Sequence, residues 1–217
     1  MKYQLKVNSI ALQAQSIEWK HQKFLAGLEG LPAPWGVRES VSAPDPGTEL
    51  IAVLNVAKLL GKGLRGELVY QFRRQFSDES SQDDWINIIF NPGKIDYHAL
   101  IYDAFLIYVS AFSAYYAEIS DEEFIFMDFE HRKYNRRHAI YRIPPVCYMN
   151  KDFCARAFDL SPAQIVEKLR GTVEEVREVQ NGVFIVLTSK VLPTAEMDVL
   201  CWQAKNQLLH GNPDPNP

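Results

Sequence analysis

Cysteine is scarce in this chain of 217 residues, which contains only Cys147, Cys154 and Cys201. An odd number of cysteines at such low density is typical of thiols in a reducing compartment rather than of a disulfide framework. Cys147 and Cys154 are seven residues apart, which is outside the spacing of a zinc knuckle, and no second pair completes a site. The sequence therefore predicts no disulfide scaffold, no metal site and no cofactor.

An excess of positive charge is also missing. The chain has 23 Lys and Arg residues against 27 Asp and Glu, so its formal charge is −4. Proteins that bind nucleic acid generally carry a basic excess, which supplies the salt-dependent part of their affinity. A general polyanion binder is thus disfavoured, and any basic surface must be local.

Targeting and membrane signals are absent as well. The first residues, "MKYQLKVNSIALQ", alternate apolar and polar side chains and lack the apolar block of a signal peptide, so we expect a cytoplasmic protein. Residues 99–119 are nearly long enough to span a bilayer. Asp103, Glu118 and four tyrosines make this stretch a poor membrane span, and a buried central helix is the better interpretation.

No catalytic motif stands out. The chain has no Gly-rich turn after a strand and no serine in a Gly-x-Ser-x-Gly elbow, and its five histidines are dispersed. Each histidine is better explained as a satisfied or solvated side chain than as a catalytic one. The sequence therefore predicts a protein that is not an enzyme.

The hydrophobic pattern predicts strands in hairpins separated by helices. A strand at the N-terminus precedes a helix capped by Ser16, and a helix with Thr48 as its cap follows a Pro- and Gly-rich loop. Residues 66–76 alternate as a half-buried strand, with a helix as the alternative, and the short apolar run "WINIIF" is expected to be a strand that pairs with it. A long aromatic-rich helix is expected at about 96–119, and it is the spine of the fold.

The next prediction places the basic segment in a hairpin. "EEFIFMDFE" and "HAIYRIPPV" are interpreted as strands that the segment connects, with Pro144 and Pro145 ending the second strand. Asn150 and Ser161 then cap two short helices, and Asn181-Gly182 predicts another hairpin. A helix with Thr194 as its cap closes the chain.

These elements favour an α+β fold in which antiparallel β-hairpins pack against helices on one face, with the long aromatic-rich helix at its centre. We expect residues 1–211 to form a single domain, with a subdivision near 145–150 as the alternative. The tail 212–217, "NPDPNP", is expected to be disordered.

The basic segment "EHRKYNRRHAIYR" has three interpretations. As a nucleic-acid grip it would combine positive charge with a stacking ring, in Arg132, Lys133, Tyr134, Arg136 and Arg137. As part of a metal-dependent phosphodiesterase or nuclease it would use Asp128 and Glu130 as metal ligands, with the neighbouring cations on phosphate. A polar turn is favoured over both, because the segment follows acidic residues and offers no helix for a groove.

Two acidic loops suggest recognition instead of chemistry. "SDESSQDDW" and "ISDEEF" place carboxylates beside aromatic side chains, and such loops can complement a basic protein partner. The candidate partner-binding residues are Asp78, Glu79, Asp83, Asp84, Trp85, Asp121, Glu122 and Glu123.

Taken whole, the chain resembles the small cytoplasmic immunity proteins that accompany bacterial polymorphic or type VI secreted toxins. The resemblance is carried by the acidic α+β composition and by "IYRIPPVCYMNKDFCARAFDLSPAQIVEKLRG" ahead of "EEVREVQNGVFIVL" and a closing helix. It implies a stoichiometric inhibitor that binds its cognate toxin, such as a nuclease, in the producing cell. It assigns no individual binding residue.

Overall fold

The structure is a computed structural model, and it describes residues 1–45, 51–71, 73, 78–124, 126 and 135–209. The chain opens as predicted, with strand β1 (Tyr3–Ile10) followed by helix α1 (Ile17–Gly27). The Ser16 hydroxyl accepts a hydrogen bond of 3.1 Å from the main-chain amide of Trp19 and caps the helix.

Seven more strands and five more helices follow in the described part of the chain. The strands are β2 (Ile51–Asn55), β3 (Arg65–Gln71), β4 (Asp83–Phe90), β5 (Tyr116–Asp121), β6 (Val146–Asn150), β7 (Glu175–Val179) and β8 (Gly182–Val186). The helices are α2 (Tyr97–Ala99), α3 (Phe105–Phe112), α4 (Lys151–Phe158), α5 (Pro162–Leu169) and α6 (Thr194–Leu208). A π-helical stretch, Leu100–Ala104, joins α2 to α3.

The strands form one eight-stranded sheet in the order β2-β3-β4-β1-β5-β6-β8-β7. Every pairing is antiparallel, and β1 lies between β4 and β5. The predicted α+β class with an antiparallel sheet is confirmed.

One core lies on the side of the sheet that α1 and α3 cover. Leu5 and Val7 of β1 point to this side, together with Tyr148 of β6, and pack with Phe24 of α1 and Phe112 of α3. Phe24 and Phe112 meet edge to face with their ring centroids 5.2 Å apart.

A second core lies on the opposite side, at the β5-β6-β8 end of the sheet. Met149 of β6 is one residue from Tyr148, so it faces the other way, and it packs with Phe153 of α4, Ile165 of α5 and Cys201 of α6. Helices therefore pack against both faces of the sheet, whereas the sequence pattern predicts them on one face.

On the same side of the sheet, the half formed by β2, β3 and β4 contributes no described residue to the second core, and we call it the open face. It carries Ile51, Val53, Val69, Trp85 and Ile89, which the strand registers place on one side of the sheet. Neither core, as the described residues form them, includes these five side chains. Ile51 and Val53 are 39% and 45% exposed, Trp85 and Ile89 are partly buried, and Val69 between them is only 2% exposed.

Three predicted elements differ from the structure. The first is the helix expected after Thr48, which itself lies outside the described residues. Residues 51–55 form strand β2, and a short 3-10 helix, Val56–Lys58, follows. Ala52 and Leu54 are buried while their neighbours are exposed, which is the two-residue period of a strand, and pairing with β3 outweighs the helical spacing seen in the sequence.

The central helix ends seven residues earlier than predicted. Ser113 adopts the left-handed conformation (φ 55°) after α3, and residues 116–121 form β5 instead of the last helical turns. Tyrosine and isoleucine favour strands, and β5 satisfies the backbone groups of β1 along its second edge.

The hairpin expected around the basic segment is wrong in its described parts. Residues 122–124 are helical, and the carboxylate of Asp121 accepts a hydrogen bond from the Phe124 amide at 2.7 Å. Residues 135–145 form turns, and β6 begins only at Val146. Residues 125 and 127–134, with Asp128, Glu130, Arg132, Lys133 and Tyr134, lie outside the described part of the chain.

The last third agrees closely with the sequence. Asn150 caps α4 and Ser161 caps α5, where Gln164 completes a capping box. The predicted β7–β8 hairpin is present, but its two turn residues are Gln180 and Asn181, both with positive φ, and Gly182 is the first residue of β8. Residues 212–217 lie outside the described part of the chain.

The stretch considered as a membrane span packs into the first core through Phe105, Tyr108 and Phe112. Across the described residues, no helix has both the length and the apolar character needed to cross a bilayer.

Candidate functional site

The first two residues of β4 carry carboxylates around which two clusters of charged side chains form. Asp83 and Asp84 are consecutive, so they point to opposite sides of the sheet, and both are almost fully buried. Each carboxylate is surrounded by donors from distant parts of the sequence.

Asp83 binds Arg137 and Tyr115. The Nε and Nη2 atoms of Arg137 lie 2.9 and 2.7 Å from Oδ1 of Asp83, and the Tyr115 hydroxyl donates to Oδ2 at 2.5 Å. Burial raises the pKa of Asp83, while the hydrogen bonds from Tyr115 and Arg137 act in the opposite direction. The cluster fixes the segment after residue 134 to the start of β4.

Asp78 extends this cluster to the surface. One of its oxygens lies 2.8 Å from His138 Nε2, and the other lies 3.8 and 3.7 Å from Arg137 and Arg156. The side chain of Asn135 donates to the main-chain carbonyl of Asp78 and accepts from the amide of Ser80 at 3.0 Å. The predicted acidic loop and the described end of the predicted basic patch are thus bound to each other.

Asp84 forms a second cluster below the sheet, with Lys20 of α1 and Arg73. Lys20 Nζ lies 2.6 Å from Oδ2, and Arg73 donates to both oxygens at 2.7 Å. The main-chain amide of Gln71 donates to Oδ1 at 2.8 Å. Burial lowers the pKa of Lys20, and Asp84 opposes that shift.

These four donations saturate the Asp84 carboxylate, which leaves no position for a substrate or metal. Lys20 also donates to the Ser9 hydroxyl at 2.8 Å, and that hydroxyl donates to the carbonyl of Ser113 at 3.1 Å. The cluster therefore ties α1 and the end of α3 to the sheet, and we interpret it as structural.

His21 is also satisfied inside the protein. Its Nε2 atom lies 2.8 Å from the carbonyl of Val41, which can only accept, so Nε2 carries the proton. Nδ1 then accepts from the Tyr70 hydroxyl at 3.0 Å. Burial lowers the pKa of His21, which favours the neutral imidazole. Both ring nitrogens are used by internal hydrogen bonds, so neither is available to act on a substrate.

The cysteines lack the environment of a nucleophile. All three are buried, and burial raises the pKa of Cys147 well above its usual range and that of Cys154 to about 12. A reactive thiol requires the opposite shift. In the described residues, no group of three or more His, Cys, Asp or Glu side chains is arranged to hold a metal ion.

The predicted partner-binding residues separate into two groups. Asp78, Glu79 and Glu123 are exposed, while Glu122 and Trp85 are partly buried. Asp83, Asp84 and Asp121 are buried, so their side chains lie inside the protein rather than on its acidic surface. Internal donors occupy the carboxylates of Asp83 and Asp84, and Oδ1 of Asp121 accepts from the Phe124 amide, so a partner would have to displace these donors.

Among the predicted partner-binding residues, Trp85 lies within the apolar surface of the open face. Its register partners are Val69 on β3 and Asn8 on β1, and Val53 follows Val69 across the sheet. The open face thereby forms an apolar strip with an indole at one end and the exposed Val53 at the other. Such an apolar strip with an aromatic ring at one end has the composition of an interface core.

Sequence reasoning missed the buried cations Lys20 and Arg73. A signal for Lys20 was present, because Ile17, Lys20, His21 and Phe24 follow the i, i+3, i+4, i+7 spacing of the buried face of a helix. Arg73 follows directly after β3 and offered no comparable signal.

Comparison of the sequence with protein-family models gives no match, and comparison with curated protein sequences gives none either.

Proposed function

We propose that this chain is a non-enzymatic cytoplasmic binding protein that neutralises a bacterial toxin by direct contact, as an immunity protein does. The observation that carries the proposal is the open face, where the exposed Ile51 and Val53 and the partly buried Trp85 flank the buried Val69 in an apolar strip outside both cores. Apolar side chains gathered in this way on one side of a sheet are characteristic of a surface that is covered by another protein.

The charged clusters support a binding role over a catalytic one. Asp83, Asp84 and Lys20 all form hydrogen bonds with internal partners. Both ring nitrogens of the buried His21 are hydrogen-bonded as well, one to Val41 and the other to Tyr70. Groups held in this way stabilise a rigid scaffold. A rigid scaffold reduces the entropy that is lost when a partner binds.

The occupant that fits best is a toxin domain with an apolar patch inside a basic rim. Trp85 is the anchor, since a partly buried indole that becomes fully covered contributes more to affinity than most contacts. Two exposed carboxylates lie near the strip: Glu67 on β3, on the same side of the sheet, and Glu79 before β4. The net charge of −4 attracts a basic partner over longer distances.

The test uses the protein encoded by the neighbouring gene. That protein and this chain are co-expressed, and the complex is sized by light scattering after gel filtration. We expect an equimolar complex and a toxic activity that falls to zero at one equivalent of this chain. A toxic neighbour that is neither bound nor inhibited would contradict the proposal, as would inhibition that is catalytic rather than stoichiometric.

A further inference from the structure

β2 is an end strand of the sheet, and the direction of its backbone groups follows from the neighbouring strands. It pairs with β3 on one side, and no described strand lies on the other. The main-chain amide of Gln71 donates to the carboxylate of Asp84 on β4, so residue 71 turns its backbone groups away from β2. These groups alternate along a strand, so Tyr70 faces β2 and its register partner Ala52 faces β3.

The N–H and C=O groups of Ile51 and Val53, on either side of Ala52, therefore point outwards from the sheet. Among the described residues, no main-chain group forms a hydrogen bond with them. Their side chains are 39% and 45% exposed on the open face. Unpaired backbone groups along an apolar edge are a template for another strand, and proteins generally block such edges with charged residues or proline.

The two end strands of the sheet differ in this protection. β2, with the sequence "IAVLN", contains no charged residue and no proline. β7, with the sequence "EVREV", contains three charged residues, and pairing with its own copy about the central position would place Arg177 opposite Arg177. Like charges directly opposite each other are destabilising. β7 is therefore protected from pairing with itself, whereas β2 is not.

We propose that β2 pairs with β2 of a second copy of this chain, antiparallel and about a two-fold axis at Val53. The N–H and C=O groups of Val53 bond to the same groups in the second copy, Ile51 lies opposite Asn55, and no like charges meet. Both Val53 side chains point to one side of the joined sheet, so the apolar strips of the two open faces become continuous. Contact of one surface with itself about a two-fold axis is the commonest form of oligomer.

The first experiment uses the chain alone, so its result does not depend on the toxin-binding proposal. Analytical ultracentrifugation follows the mass with rising concentration, starting from the monomer of 24.9 kDa. A strand-to-strand contact is smaller than a standard protein interface, so we expect a dissociation constant of about 10–100 µM. A monomer at every concentration up to about 1 mM would overturn the proposal.

Charges at position 53 test the two-fold axis. Val53→Lys and Val53→Asp each place like charges opposite each other, so each variant alone should self-associate more weakly than the wild type by about tenfold or more. An equimolar mixture should dimerise again, because lysine then lies opposite aspartate. Val199→Lys and Val199→Asp are the matched controls, since Val199 is 55% exposed on α6, and they should dimerise like the wild type. Undiminished association of the single Val53 variants, or no recovery in the mixture, would refute the pairing.

Proline at position 53 tests the backbone bonds. Val53→Pro removes an N–H that points outwards and keeps the bonds between β2 and β3, so we expect a folded monomer, with folding checked by circular dichroism. Glu178→Pro makes the same change on β7. Val179 and Gly182 flank the two-residue turn as a hydrogen-bonded pair, so the N–H of Glu178 also points outwards, and this variant should dimerise like the wild type. A folded Val53→Pro that dimerises like the wild type would contradict the proposal, and if Val53→Pro does not fold, the charge variants decide.

Discussion

Arg137 binds a single oxygen of Asp83 through two nitrogens, and this contact joins segments 54 residues apart in the chain. Asp83 belongs to the acidic loop and Arg137 to the basic segment, which the sequence presents as separate candidate surfaces. In the folded chain, each neutralises the other inside the protein. A charge pattern that looked suited to external partners is therefore partly used for folding.

The buried pair should be sensitive to the loss of its cation. We expect Arg137→Met to lower the free energy of unfolding by roughly 3–5 kcal/mol, because it removes the buried cation that binds the Asp83 carboxylate, whose other described donor is the neutral Tyr115 hydroxyl. Urea denaturation at pH 7 measures the change. Arg156→Ala is the control, since Arg156 is 42% exposed and lies 3.7 Å from Asp78, and such a contact contributes below about 1 kcal/mol.

Asp121 should make stability depend on pH in a defined direction. Burial raises its pKa, so the folded state binds the proton more tightly than the unfolded state does. Its stabilising contribution is complete below the ordinary carboxyl pKa and is lost as pH rises through the higher pKa of the folded state. Asp121→Asn does not titrate and can still cap the Phe124 amide.

The difference between the two proteins isolates this group from the other carboxylates. We expect the free energy of unfolding of Asp121→Asn, relative to the wild type, to increase as pH is raised from 4 to 7. Urea midpoints at closely spaced pH values provide the measurement. A difference that stays constant over this range, or that decreases, would show that the pKa of Asp121 is not raised.

The turn of the β7–β8 hairpin gives two positions with opposite expectations. Gly182 has no room for a side chain, because a Cβ atom there would lie 2.3 Å from the carbonyl oxygen of Met149. Gly182→Ala should therefore destabilise the fold by about 1–3 kcal/mol. Asn181 has a φ of 64°, so Asn181→Gly relieves the conformation and should leave stability within about 1 kcal/mol of the wild type. Thermal unfolding of the pair distinguishes the two roles, and equal effects would contradict this account.

Local signals predicted the last third of the chain well because its elements are encoded by their own residues. Asn150 and Ser161 accept hydrogen bonds from amides three residues later, and Asn181 lies in the turn directly before Gly182, the first residue of β8. These interactions involve neighbours in sequence, so they can be recognised without the fold.

The middle of the chain could not be predicted in the same way, because its elements are decided by distant partners. Residues 51–55 have a helical spacing of apolar side chains and become a strand through pairing with β3. Residues 116–121 leave the predicted helix because β1 offers them an edge. The burial of Asp83 and Asp84 follows from contacts with Arg137, Lys20 and Arg73, which no short stretch of sequence contains.

The open face gives the most direct test of the proposed function. Trp85 lies in it, and Trp19 lies on the helix α1 that covers the opposite side of the sheet, where it is 48% exposed. Trp85→Ala should weaken binding of the toxin by tenfold or more, since a covered tryptophan commonly contributes at least about 2 kcal/mol to an interface. Trp19→Ala removes the same ring from the other side and should bind the toxin as the wild type does.

Val53 provides a second pair of variants that avoids the loss of packing around an indole. Val53 is 45% exposed on the open face and Val199 is 55% exposed on α6, so Val53→Asp and Val199→Asp introduce the same charge at similar exposure. We expect only Val53→Asp to weaken the complex, because its carboxylate would be buried among apolar groups when the toxin binds. Binding constants for the four variants, measured at one salt concentration, show whether the toxin binds at the open face. If Trp19→Ala or Val199→Asp weakened binding as much as the open-face variants, the toxin would not dock where we place it.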